Sequence, residues 1–159
     1  MPLLLRTVRE NRWLKSEAAE WLRDGDVPAD PLGDLPTQGN CLSVWRVHDD
    51  HSNVERIVRA VASGKQRLDS AGYVIFDEDL VRAAEIVTDD NKKGASLDQV
   101  ANEWHCDLTG LSGKKLVALT RAILETGETG TILKKRLKEL VEKGIRDKEL
   151  PEKLRDKLG

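Results

Sequence analysis

The stretch from Cys41 to Phe76 restricts the folds open to this chain more than any other. Cys41-Leu42-Ser43-Val44-Trp45-Arg46-Val47-His48 is rich in strand formers and stops at Asp49-Asp50-His51. Ser52-Asn53-Val54-Glu55 then has the form of a capping box, in which a hydroxyl and a carboxylate satisfy free amides at a helix start. It opens a helical stripe of Val54, Ile57, Val58, Val61 and Ala62 that Gly64 closes. Tyr73-Val74-Ile75-Phe76 follows as an unbroken apolar run, the pattern of a strand covered on both faces. Strand, crossover helix and parallel strand need about 30 residues or more, which this stretch supplies. The expected fold class is therefore α/β, with a small, partly parallel sheet and flanking helices.

On the N-terminal side, Thr7-Val8-Arg9-Glu10 is another capping box, predicting a helix that carries Leu14, Ala18, Trp21 and Leu22, with Trp13 beside them, and ends at Gly25. Residues 26–40 hold Pro28, Pro31, Pro36, Gly33 and Gly39, and are expected to form an irregular loop. After Phe76, Leu80, Val81 and Ala84 suggest a short helix and Ile86-Val87-Thr88 a third strand. Beyond Gly94 the pattern turns helical. Ser96-Leu97-Asp98-Gln99 is a third capping box, and Leu97, Val100, Ala101, Trp104 and Leu108 fit one helix face. Further helices are expected over roughly 112–126, about 131–143 up to Gly144, and along Leu150, Leu154 and Leu158. The chain thus reads as an α/β domain over 1–95 followed by an α-helical module over 96–159.

Charge and cysteine usage narrow the function classes. No apolar run approaches the roughly 18 residues of a membrane span, so no membrane partner is expected. Cys41 and Cys106 stand far apart without a C-x-x-C pair, so neither a disulfide scaffold nor a cysteine-only metal site is implied and a reducing, cytoplasmic setting is expected. The net charge of −2 divides into −4 over residues 1–96 and +2 over 97–159. That asymmetry falls well short of the basic stripe usual in a nucleic-acid module.

Four constellations are candidates for function. Asp49 and Asp50 leave one predicted strand on the same sheet edge as Asp77 and Asp79 leave the next, where open α/β sheets place ligands. Carboxylates gathered there suit a magnesium ion and phosphoryl-transfer or nuclease chemistry. The same residues also suit helix starts, whose free amides and dipole favour acidic side chains. His48, His51, His105 and Cys106, with Cys41, are the residue types of a zinc site, at a spacing that lacks close ligand pairs. Thr131 to Ile145 resembles the recognition helix of winged helix-turn-helix regulators. That resemblance implies that Lys134, Lys135, Arg136 and Lys138 face DNA. The segment Glu125–Thr131 is too short for the preceding helix of that motif, and a Lys/Glu face over a Leu stripe is the simpler reading.

Tryptophan is the last signal. Aromatic residues make up only 4% of the chain, yet Trp13, Trp21, Trp45 and Trp104 are four of them, and Trp is enriched among interface anchors. The leading expectation is a non-enzymatic interaction protein: a small cytosolic adaptor, immunity or antitoxin-like subunit of a complex. It needs no cofactor and binds another protein through Trp13 and Trp21 or through the stripe Leu133, Leu137 and Leu140. The magnesium-dependent enzyme and the DNA-binding protein are the alternatives.

Overall fold

In the computed structural model, which describes residues 2–159, the apolar run Leu3-Leu4-Leu5 lies in a strand, β1 (Leu3–Val8). A single 3-10 turn at Glu10–Arg12 leads to α1 (Lys15–Arg23), and α2 (Ala29–Gly33) interrupts the irregular segment that follows. The expected crossover is present as β2 (Leu42–Val47), α3 (Val54–Ser63) and β3 (Ala71–Asp77). Next come α4 (Glu78–Ala83), β4 (Val87–Asp89), the short α5 (Gln99–Asn102) and β5 (His105–Thr109). The chain continues through α6 (Gly113–Thr126), β6 (Glu128–Ile132), α7 (Lys134–Arg146) and a 3-10 turn at Glu152–Lys157.

The six strands form one sheet in the order β4-β5-β2-β1-β3-β6, and every pairing is antiparallel. The partly parallel sheet is thereby corrected. Strands β2 and β3 do run in the same direction on either side of α3, but β1 is inserted between them, so that Leu3 stands opposite both Val47 and Asp77. This is a split strand-helix-strand arrangement. The reason lies in Leu4 and Leu5, which point to opposite sides of the sheet and are both fully buried. A two-faced apolar segment is best covered at the centre of a sheet. Thr7, read as a helix cap, stays extended opposite Tyr73.

The helical reading of residues 96–159 is corrected as well. α5 ends at Asn102, and Trp104 and Leu108 do not extend it. His105-Cys106-Asp107-Leu108-Thr109 instead alternates with period two, placing Cys106 and Leu108 in one core, and pairs with β2 and β4. Glu128-Thr129-Gly130-Thr131-Ile132, with β-branched residues at alternate positions, becomes the edge strand beside β3. Strands from both sides of residue 95 therefore share the sheet.

Helices cover both faces. Leu5, Trp45 and Ile75 pack with Ile57 and Val58 of α3, Leu137 and Val141 of α7, and Leu154. Leu4, Val44, Val74, Phe76 and Leu108 pack on the other side with Ala18 of α1, Val81 of α4, and Leu119 and Ile123 of α6. One irregularity interrupts the sheet. β1 stays against β3 as far as Val8 opposite Gly72, but pairs with β2 only from Leu3–Val47 to Leu5–Trp45. Where the two part, Arg6 Nη1 donates to the Ser43 carbonyl at 2.9 Å.

Candidate functional site

A groove with two partly exposed apolar side chains lies between α1 and α2. The stripe Leu14, Ala18 and Trp21 follows helical spacing, but the sheet layer covers only part of it. Ala18 is buried, while Leu14 is 41% and Trp21 49% exposed. With Pro28 and Pro31 they line a groove of about 760 Å³, bordered by Arg12, Glu17 and Asp30. Trp13 is a neighbour in sequence and the opposite in role. It is buried, and its Nε1 donates to Asp34 at 3.1 Å. Asp34 also accepts from the Arg9 amide at 3.0 Å and from Arg12 Nη1 at 3.2 Å. This contact ties the turn before α1 to the segment after α2, and so fixes the walls of the groove. Of the second expected stripe, Leu137 and Leu140 are core, and Leu133 alone is exposed, at 67%.

The strand-end carboxylates lie along one end of the sheet, and three of the four are engaged locally. Asp77 accepts from the Asp79 amide at 2.8 Å and so caps α4, and Asp79 pairs with Arg82 at 3.0 Å. Asp50 accepts from Ser52, which holds its carboxyl below the usual range. Asp49 lines a shallow cleft with Arg46, Val47, Pro2 and Leu3. The side chain that organises this edge is Arg46. It reaches Asp90 through Nε at 2.6 Å and Nη2 at 3.0 Å, and Glu78 through Nη1 and Nη2 at 3.1 Å each. These bonds hold Glu78 and Asp90 below the ordinary carboxylate range.

The histidines and cysteines of the zinc reading are distributed among separate contacts. His48 stacks edge-on against Trp104 and contacts Ser52 Oγ. His51 is exposed in a left-handed turn with φ 61°. His105 is buried against Trp45, its Nδ1 2.7 Å from the Lys92 carbonyl. Cys41 contacts the Gly39 carbonyl. Cys106 is buried, and that burial, with the Asp90 charge nearby, pushes its thiol up to about 12. Among the described residues no three or more His, Cys, Asp or Glu side chains are grouped to hold a metal ion.

The basic helix takes a different setting from the one its resemblance implies. α7 follows directly on β6, and Arg136 forks onto Glu55 of α3 at 3.0 Å through both Nε and Nη2. The Lys134 amide donates to Ser70, Lys135 is exposed, and Lys138 is half-buried.

A second ionic cluster escaped the sequence reading. Asp98, buried at the start of α5, accepts from Arg56 Nε and Nη2 at 2.8 and 3.0 Å and from Arg59 Nη2 at 3.0 Å. Glu149 pairs with both arginines. The partners come from distant parts of the chain, so no local motif could announce them. No protein-family model matches the chain, and neither a curated protein nor a solved structure is detectably similar to it.

Proposed function

We propose that the chain is a non-enzymatic protein-interaction protein, an adaptor, immunity or antitoxin-like subunit of a cytoplasmic complex, that receives its partner in the α1–α2 groove. The observation that carries this reading is the half-exposed pair Leu14 and Trp21, one turn to either side of buried Ala18, opening onto a proline-lined groove. Burying a tryptophan of this kind gives a large contact area at little cost in side-chain freedom, and such residues are the usual anchors of binding energy. The polar border of Arg12, Glu17 and Asp30 supplies the rim that keeps water from the anchor. The reading calls for no cofactor.

Affinity purification from the native host tests it. A stoichiometric partner is expected with the unaltered chain and is lost with Trp21→Ala, a truncation that at an anchor costs at least about 2 kcal/mol of binding. Leu133→Ala should retain the partner, and the thermal midpoint of Trp21→Ala should stay close to that of the parent, since the ring stands half in solvent. A partner that binds Trp21→Ala and Leu14→Ala undiminished overturns the proposal.

A further inference from the structure

Five arginines are buried or half-buried: Arg6, Arg12, Arg46, Arg56 and Arg59. Four of them hold a carboxylate, Arg12 on Asp34, Arg46 on Glu78 and Asp90, and Arg56 and Arg59 on Asp98. Among the described residues Arg6 has none within ion-pair distance. Its Nη1 donates to the Ser43 carbonyl, and its Nε is buried without a partner. Burial lowers its pKa, opposed by the charge of Asp34, but that carboxylate already accepts from Trp13, Arg12 and the Arg9 amide. The Nε is thus held out of water with no hydrogen bond, and the partly buried guanidinium has no ion-paired carboxylate, which is costly to the fold.

Arg6 lies where β1 parts from β2, and it lines a cleft of about 800 Å³ with Thr7, Arg9, Lys65 and Ser70. Neither Arg9 nor Lys65 has a carboxylate partner among the described residues. Of the two acidic residues at the cleft, Asp34 is engaged as above and Glu10 accepts from the Thr131 hydroxyl. Ser70 Oγ accepts from the Lys134 amide, which leaves its own proton free to donate.

We propose that this cleft binds a phosphate-bearing small molecule whose anionic oxygens supply the counter-charge that Arg6 lacks. A phosphate has two negative charges and acceptors on all sides, which suits a cleft lined by the cations of Arg6, Arg9 and Lys65. A single carboxylate would leave two of the three cations unmatched. The site adjoins the α1–α2 groove at Asn11 but does not depend on that groove's role.

Isothermal calorimetry and thermal unfolding, at constant ionic strength, test the site with inorganic phosphate, glycerol 3-phosphate, pyrophosphate and acetate. Saturable uptake of one phosphate-bearing ligand per chain and a raised midpoint are expected, with acetate inert. The tighter of inorganic phosphate and glycerol 3-phosphate tells whether the ligand is the free anion or an ester. Arg6→Gln should weaken binding at least ten-fold, whereas Arg67→Gln, an exposed neighbour, should leave it unchanged. If Arg6→Gln does not fold, the Arg9→Gln/Lys65→Gln double variant is read in the same way and should also lose at least ten-fold. The proposal is overturned by no saturable uptake at millimolar phosphate, by equal uptake of acetate, or by undiminished binding in the variants.

Discussion

Asp98, at the first turn of α5, accepts from the amides of Val100 and Ala101 and from the guanidinium groups of Arg56 and Arg59. Burial alone would push its pKa up; the bonds from Arg56, the Ala101 amide and Arg59 outweigh this and hold it below the usual range. A carboxyl whose pKa falls on folding contributes stability above its unfolded value, about 3.9 for Asp, and that contribution disappears as pH drops through the folded value. Acid unfolding followed by circular dichroism should therefore set in below about pH 4, with Glu78 and Asp90 adding to it through Arg46. Asp98→Ala, which frees the Val100 and Ala101 amides and leaves buried Arg59 with only its longer contact to Glu149, is expected to cost about 3 kcal/mol. A fall in the urea midpoint at constant slope would measure it. Glu85 is the opposite case. It sits just past α4 with φ 58°, a conformation that penalises a side chain, so Glu85→Gly should raise stability by about 0.5–1 kcal/mol in the same assay.

Among the elements, β1 has neighbours on both sides and fully buried side chains on both faces, while β4 and β6 are the open edges. Hydrogen exchange should protect the amides of β1 most and those of β4 and β6 least, and Leu5→Ala should cost about 2–5 kcal/mol in chemical denaturation. The sequence announced β2, α3, β3, α4 and α6, because each combines a clear period with a local stop such as Gly64 or Gly127. β1 was hidden by a capping-box spacing at Thr7–Glu10. That pattern needs only four residues, whereas the outcome is decided by pairing with Val74 and Trp45, far along the chain. Gly130 falls in the gap between two expected helices, and Thr131 at the start of the second, for the same reason. At the groove, sequence singled out Trp13 and Trp21 alike. Which ring faces outward depends on Asp34, the hydrogen-bond partner that holds Trp13 inside, and that distinction is tertiary.

For the molecule as a whole, the sheet makes the two halves of the chain interdependent. β5 lies between β2 and β4, and Cys106 and Leu108 fill the core beside Leu42 and Val44. A fragment of residues 1–95 loses this strand together with α6 and α7. It is expected to give the poorly dispersed amide spectrum of an unfolded chain; a dispersed spectrum would show that the first half folds alone. The order of strands also has a temporal side. β1 precedes both neighbours in the sequence, and the second of them is complete only at Asp77. At a synthesis rate of roughly 5–20 residues per second, Leu3, Leu4 and Leu5 leave the ribosome seconds before either partner strand exists. The most sheltered strand of the finished sheet is thus bare for longest in the nascent chain, and is where a chaperone would take hold.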